Sequence, residues 1–257
     1  MLTELINAGY WPEILTNTAA ITLIVSSMFT SAMTVAFGLG GGVIMLALLV
    51  NFLPVAVVIP VHAVIQMGSN TSRAVLMRKH IVWPIFIYFF LGALVGAVIG
   101  GQFVVALPER VLLGILGLFI LYITWGPKPK NLKLGKIGYI VGGAFTTFAT
   151  MFIGATGPLA MALLPRKELE KQQVSGTHGS LLVVQHGLKI IIFGFLGFAF
   201  KAWILFLICM IVAGFIGTYS GRAILQRMPS KYFQTGITII LTIMAVRMLY
   251  TAVAAFL

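Results

Sequence analysis

The chain has 257 residues, of which 60% are hydrophobic and only 9% are charged, and its mean hydropathy is +1.08. A soluble domain of this length needs far more charge to cover its surface, so the composition excludes that class. The formal net charge is +12, but the cations fall in short links between apolar segments, which argues against a nucleic-acid partner. A single cysteine, Cys209, excludes an internal disulfide.

Eight apolar segments follow one another along the chain, most of them near the roughly 20 residues that cross a bilayer. They span residues 14–37, 54–77, 83–107, 111–125, 137–153, 174–198, 202–225 and 232–254. The first is followed by a glycine-rich break at 38–42 and a short apolar stretch at 43–50. The fifth is followed by a similar break at 154–158 and a stretch at 159–164. This pattern predicts an all-α polytopic membrane protein embedded in the lipid bilayer.

The two halves of the chain carry matching residues at constant separations. Pairs at an offset of 116 are Thr34 and Thr150, Gly41 and Gly157, and His62 and His178, and an offset of 121 relates Gly96 to Gly217 and Pro108 to Pro229. Transporters commonly contain such internal repeats. We therefore predict a first repeat at 1–125, a basic cytoplasmic linker at 126–136 and a second repeat at 137–257, together forming one membrane domain.

The basic residues predict the topology. If every segment simply crossed, Lys and Arg would divide almost evenly between the two sides. If each glycine-broken segment instead turns back as a re-entrant hairpin, 13 of the 17 Lys and Arg share one side, in the links 73–79, 128–136, 166–171 and 222–231. The positive-inside rule assigns that side to the cytoplasm. Each repeat is then a re-entrant hairpin plus three transmembrane helices, and three crossings invert the second repeat relative to the first.

The glycine breaks are candidate anion sites. Each break starts a short helix whose first N–H groups are unsatisfied and carry a partial positive charge. Two such N-termini meeting near the midplane would hold an anion, and glycine lets an oxyanion approach the backbone closely. The predicted contacts are Gly40, Gly41, Gly42 and Val43 in the first break and Thr156 and Gly157 in the second. The alternative is a kink that only permits helix packing.

Polar side chains recur on the second and sixth segments. Their spacing on the second keeps them within about 100° of arc on one helix face. Ionisable groups inside a membrane usually face a bundle interior or an aqueous path. The predicted site side chains are His62, Gln66, Asn70, Arg73, Thr177, His178, Gln185, His186 and Lys189. The alternatives are that neighbouring helices satisfy these groups, and that Arg73 and Lys189 snorkel to opposite interfaces.

The two histidines at equivalent repeat positions suggest a link to pH. An unperturbed histidine titrates near pH 6.5, and a bound anion favours its protonated form whereas burial opposes it. We expect His62 and His178 to gain a proton when the anion binds. Neutral rings that donate hydrogen bonds across helices are the alternative.

Enzyme functions find little support in the sequence. Ser175 and His178 are close, but no nucleophile loop accompanies them. Three histidines with so few acids make a poor metal site, and no nucleotide-binding motif is present. We expect no enzyme activity, no catalytic residue, no metal and no cofactor. A passive anion channel, an intramembrane enzyme and a membrane anchor are the competing classes.

The chain resembles the TauE/SafE family of sulfite and organosulfonate exporters, also called the 4-toluene sulfonate uptake permease family. The resemblance rests on FGLGGG at 37–42, the following Pro54 and the run VHAVIQMGSNTSRAVLMRKHIVW at 61–83. GATGP at 154–158 and the sequence THG at 177–179 echo these motifs in the second half. The second break has a threonine and a proline where the first has glycines, so the two half-sites are not identical.

The resemblance implies a secondary transporter in the cell inner membrane that exports sulfite, sulfoacetate or a related organosulfonate. Members of the family also import sulfur compounds, so an importer is the alternative, together with a passive anion channel. The expected partners are a small anion and the lipid bilayer, and a homodimer is left open. The sequence does not identify the anion, the direction of transport or a coupling ion.

Overall fold

The computed structural model describes residues 11–37, 40–104, 107–127, 134–225 and 230–254, and every regular element within these ranges is helical. The helices are α1 (Asn17–Phe37), α2 (Gly41–Val50), α3 (Val55–Leu76), α4 (Trp83–Val104), α5 (Glu109–Trp125), α6 (Lys136–Ile153), α7 (Gly157–Ala162), α8 (Lys171–Phe195), α9 (Ile204–Leu225) and α10 (Ser230–Ala254). The predicted all-α class is confirmed. Gly38 in the first break, residues 128–133 of the linker and residues 226–229 of the last basic link lie outside the described residues.

Glycine and proline account for the ends of several helices. Gly40, which precedes α2, has φ +107°, and Gly154, which follows α6, has φ +80°. Such positive values are open to glycine and strained for most other residues. Pro158 lies in the first turn of α7, where its missing N–H costs nothing. The two predicted breaks are therefore real interruptions of helical backbone.

The lengths and surfaces of the helices fit a multi-pass membrane protein. Among the described residues, four helical stretches are long and apolar enough to cross a bilayer: Trp83–Val104, Lys136–Ile153, Lys171–Phe195 and Phe200–Ser220. The 10 residues of α2 and the 6 of α7 extend only about 15 and 9 Å, against a hydrocarbon core of about 30 Å. Neither short helix can cross alone. Their re-entry and the sidedness of the links stay predictions.

Close helix pairs are built on glycine faces. Helix α4 packs on α6, and α1 packs on α9. A Cβ at Gly96 would overlap the carbonyl oxygen of Ala144, and one at Gly217 would overlap that of Met28. The offset of 121 relates Gly96 to Gly217, and the offset of 116 relates Met28 to Ala144, so the second pair repeats the contact of the first. The glycine faces of α4 and of the described part of α9 are therefore packing surfaces, because only glycine lets the backbones approach this closely.

The helix boundaries agree with the predicted duplication. An offset of 116 relates the starts of α2 and α3 to those of α7 and α8, and 121 relates the starts of α4 and α5 to those of α9 and α10. Helices α3 and α8, which carry the two polar stripes, pack against each other, as do α5 and α10. The pairing places both polar stripes inside the bundle. The inversion of the repeats is not tested by this agreement and stays a prediction.

Candidate functional site

The N-termini of the two short helices lack side-chain caps. Gly40 precedes α2 and Thr156 precedes α7, and neither makes a capping hydrogen bond through a side chain. The first N–H groups of α2, at Gly41, Gly42 and Val43, come before the first helical hydrogen bond, which runs from the Ile44 N–H to the Gly40 carbonyl. In α7 only Gly157 contributes an N–H at the start, since the next residue is proline. The two half-sites therefore differ in donor number.

A histidine from each long polar helix holds the first turn of a short helix. Nε2 of His62 donates to the carbonyl of Gly42 at 2.8 Å, and Nε2 of His178 donates to the carbonyl of Gly157 at 2.9 Å. Both histidines are fully buried. Because a carbonyl only accepts, each Nε2 carries the hydrogen. The equivalent histidines thus have equivalent structural roles, one in each half.

Arg73 joins the two halves. Its Nη2 donates to Oδ1 of Asn70 and lies 3.4 Å from Nδ1 of His178, which can only accept in this arrangement. His178 therefore uses both ring nitrogens. Within the described residues, Arg73 Nε has no hydrogen-bond partner, and neither do the Nδ1 atoms of His62 and His186. Unpartnered buried nitrogens are uncommon and call for an explanation such as a ligand or water.

A small cavity lies between these groups and measures about 40 Å³. A water needs at least about 10–15 Å³ by this measure, so the cavity has room for about three waters or a small anion. It is lined by Thr34, Gly40, Gly42, Val43, His62, Gln66, Asn70, Arg73, Ala155, Gly157, Pro158, His178, Leu182 and His186. None of the lining residues that the structure describes is acidic. The cavity combines an arginine with an uncapped helix N-terminus, which suits an anion.

Comparison with protein-family models identifies the family of this chain. The family model described as "Sulfite exporter TauE/SafE" matches residues 23–248. The chain belongs to the TauE/SafE family. No curated protein and no solved structure matches it. TauE/SafE is a transporter family whose name refers to sulfite. The match agrees with the resemblance that the glycine breaks show in the sequence.

Ten of the residues predicted as the site in this TauE/SafE protein line the cavity: Gly40, Gly42, Val43, His62, Gln66, Asn70, Arg73, Gly157, His178 and His186. Five predicted residues lie outside its wall: Gly41, Thr156, Thr177, Gln185 and Lys189. The cavity adds Thr34, Ala155, Pro158 and Leu182, which the polar-stripe argument missed. The sequence did indicate Thr34, because it is the repeat partner of Thr150 at the offset of 116. Apolar Ala155 and Leu182 carried none.

The predicted residues outside the wall have structural partners. Thr177 Oγ1 accepts from the Val82 N–H at 2.9 Å and so fixes the chain before α4. Gln185 Nε2 donates to Thr146 Oγ1 at 3.0 Å, and its Oε1 accepts from Thr156 Oγ1 at 3.2 Å. These contacts hold α6, α7 and α8 together. A direct role in binding remains an expectation for these three residues.

Lys189 is fully buried and belongs to the second break rather than to an interface. Its Nζ donates to Thr150 Oγ1 and to the Gly154 carbonyl, each at 3.0 Å. The snorkelling alternative is therefore wrong for Lys189. The end of α6 presents carbonyl oxygens with a partial negative charge, which favours an ammonium group at this position.

Gly41 faces α1 and not the cavity. A Cβ at this position would overlap two atoms of α1, the carbonyl oxygen of Thr30 and the side-chain hydroxyl of Thr34. A Gly41→Val variant is therefore not expected to fold, because the obstruction includes rigid backbone. Gly157 differs, since a Cβ there would meet only Leu182 and His178 at ordinary contact distances of 3.7 and 3.9 Å.

Proposed function

We propose that the chain is a secondary transporter that exports sulfite, or a closely related small sulfur oxyanion, across the inner membrane. The observation that carries this is Arg73, which lines the cavity while its Nε has no hydrogen-bond partner among the described residues, none of which brings an acidic side chain to the cavity wall. Guanidinium groups bind oxyanions through charge-assisted hydrogen bonds. Family membership supplies the sulfur chemistry of the proposal.

The size of the cavity favours a compact anion. About 40 Å³ accommodates sulfite more readily than the longer sulfoacetate. The N–H groups at the start of α2 and the Arg73 guanidinium approach this space from different elements. A small oxyanion with oxygens directed to both sides would use both sets of donors. Gln66 and Asn70 supply further polar groups on the α3 wall.

Two buried cations balance the charge of the proposed substrate. Arg73 lies at the cavity wall and Lys189 lies behind it, and the lining contains no carboxylate. In a medium of low dielectric, a positive charge acts over a longer range than in water. A doubly charged oxyanion is therefore compensated by one arginine in contact and one lysine at a distance.

Titration calorimetry of the purified protein with sulfite, under anaerobic conditions and constant ionic strength, tests the site. We expect Arg73→Gln to weaken sulfite binding by at least about tenfold, or about 1.4 kcal/mol. Arg78→Gln is the matched control, since Arg78 is exposed and lies five residues farther along the chain. Equal affinity of the two variants would remove Arg73 from the site.

Proteoliposomes loaded with sulfite test the transport mode. A secondary transporter gives efflux that saturates with internal sulfite and is competed by excess sulfite rather than by sulfoacetate. A flux that rises without saturation would instead establish the passive channel. Uptake that exceeds efflux under an imposed ion gradient would establish the importer.

A further inference from the structure

A second polar cavity lies on a neighbouring face of α3, between α1, α3 and α9. It measures about 30 Å³, and five hydroxyl side chains contribute to its lining: Ser27, Ser31, Ser69, Ser72 and Thr218. The other lining residues that the structure describes are apolar or glycine, and none of them is acidic or basic. We call this space the hydroxyl cavity. Five hydroxyls around one void are unusual among helices that are otherwise mostly apolar.

The hydroxyls of the hydroxyl cavity offer free oxygen lone pairs. Ser27 Oγ donates its hydrogen to the Met210 carbonyl at 2.8 Å, and Ser72 Oγ donates to the Gly68 carbonyl at 3.2 Å. Each oxygen therefore keeps its acceptor capacity for another partner. Ser31, Ser69 and Thr218 make no hydrogen bond to any residue that the structure describes. Ser27 and Ser31 are buried residues.

The repeat-related space in the second half is closed by other side chains. At an offset of 116, Ser69 corresponds to Gln185 and Ser72 to Leu188, and at 121 Thr218 corresponds to Ala97. The amide nitrogen of Gln185 donates to Thr146 at 3.0 Å and to Thr147, the partner of Ser31, at 3.3 Å. A donor with partial positive charge thus occupies the second half, where the first half has a void.

We propose that the hydroxyl cavity is a Na⁺ site. Hard cations take oxygen ligands, and the five hydroxyls supply these without a carboxylate. Neutral ligands compensate a single positive charge far better than a double one, so the site excludes divalent ions. A volume of about 30 Å³, about two waters, has room for one monovalent cation, and we assign Na⁺ as the more compact of the two common ions. Coupling ions in other transporters are likewise bound at membrane depth by helix carbonyls and polar groups.

Helix α3 is the common wall of both cavities. Its residues Gln66 and Asn70 line the anion cavity, whereas the neighbouring Gly68 and Ser69 line the hydroxyl cavity. A bound cation on one face therefore raises the affinity for an anion on the other, through attraction across a single helix. This coupling rests on the proposed function, but Na⁺ binding itself does not. Na⁺ binding and its coupling to the anion are equilibrium properties, so neither depends on the direction of transport.

The first measurement is the apparent melting temperature of the purified protein without sulfite, titrated with NaCl or KCl against choline chloride at constant ionic strength. A ligand that binds only the folded protein stabilises it in a saturable way. We expect Na⁺ to raise the melting temperature by several degrees with saturation, and K⁺ to have no such effect. Equal responses to Na⁺, K⁺ and choline would overturn the site and leave a water-filled cavity.

Two variants locate the effect. Ser31→Ala/Ser69→Ala removes two unpartnered hydroxyls, and Gly214→Ala fills the cavity, since its Cβ would lie 2.9 Å from Ser31 Oγ and 3.3 Å from Ser27 Oγ. Each should raise the half-saturating Na⁺ concentration by at least about tenfold. Ser220→Ala on the same helix is the control, because Ser220 is exposed and outside the cavity. An unchanged Na⁺ response in either folded cavity variant would contradict the assignment.

Sulfite calorimetry with and without Na⁺ separates this inference from the proposed function. Sulfite binding that Na⁺ tightens supports both. Na⁺ stabilisation without any sulfite binding keeps the Na⁺ site and rejects the proposed function. Sulfite binding in a protein that shows no Na⁺ stabilisation keeps the proposed function and rejects the Na⁺ site.

Discussion

At the scale of single residues, the nitrogens without partners mark the anion cavity. Leaving a buried donor or acceptor unsatisfied costs about 1–3 kcal/mol. Arg73 Nε and the Nδ1 atoms of His62 and His186 all belong to residues that line this cavity. His178, by contrast, has both ring nitrogens in use. The two repeat-related histidines therefore differ in their capacity to accept a proton.

This difference predicts that His62, and not its repeat partner His178, links anion binding to pH. His62 Nδ1 is free to accept a proton beside a bound anion, although His186 and Lys189 lie nearby and oppose a further charge. Binding of methanesulfonate, which does not titrate itself, should strengthen as the pH falls from about 8 to 5.5. His62→Gln should weaken this dependence in calorimetry, and His178→Gln should preserve it. Loss of the dependence in His178→Gln would restore the symmetric expectation.

Lys189 tests whether a buried charge outside the cavity wall contributes to anion binding. Lys189→Met keeps much of the side-chain volume and removes the buried ammonium with its hydrogen bonds to Thr150 Oγ1 and the Gly154 carbonyl. We expect a lower melting temperature, because these buried acceptors lose their donor at a cost of about 1–3 kcal/mol, together with sulfite affinity that is weaker by about tenfold, or about 1.4 kcal/mol. Calorimetry and thermal unfolding of the same sample check both parts. Full affinity in a stable variant would mean that Lys189 only holds the end of α6.

At the scale of elements, the two short helices are similar in position but different in chemistry. Helix α2 offers backbone donors at its start, whereas Pro158 removes one from α7. Each helix is fixed by a histidine from a neighbouring long helix. The anion cavity is therefore asymmetric, with its donors concentrated on α2 and α3.

Two alanine variants at equivalent glycines should behave differently. Gly41→Ala places its Cβ against α1 backbone and should destabilise the protein by about 1–3 kcal/mol. Gly157→Ala has space, so the fold should persist while the added methyl weakens sulfite binding by about tenfold. Thermal unfolding and calorimetry distinguish these effects. A stable Gly41→Ala protein, or full affinity in Gly157→Ala, would contradict the respective assignment.

At the scale of the whole molecule, the packing of the long helices follows the predicted repeat. Helix α4 packs on α6 as α9 packs on α1, whereas α3 packs on α8 and α5 on α10. This is the pattern of a pseudo-twofold relation between halves. If the repeats are inverted as predicted, this packing suits alternating access to a site at their interface.

The inversion itself predicts that the links around residues 133 and 167 share the cytoplasmic side. Single cysteines replacing Lys133 and Lys167, in a Cys209→Ala background, should react alike with an impermeant thiol reagent applied to whole cells or to inside-out vesicles. Both should be labelled only in the vesicles. Labelling of the two positions from opposite sides would exclude re-entrant hairpins and with them the inverted repeat.

Much of the architecture follows from the sequence, because each cue is local. Apolar runs, glycine breaks and prolines locate the helices, since length, hydropathy and backbone freedom are properties of neighbouring residues. The repeat offsets and the polar stripes led to ten of the residues around the anion cavity. Charge counting led to a topology that still awaits labelling.

Tertiary structure decided which polar residues face the cavity and which only support it. Gly41 packs on α1, Thr177 anchors the start of α4, and Lys189 closes the end of α6. Spacing along one helix cannot distinguish these cases, because the partner of each group comes from a distant part of the chain. The hydroxyl cavity was invisible for the same reason. Its serines are scattered over α1 and α3, and only helix packing brings them around one space.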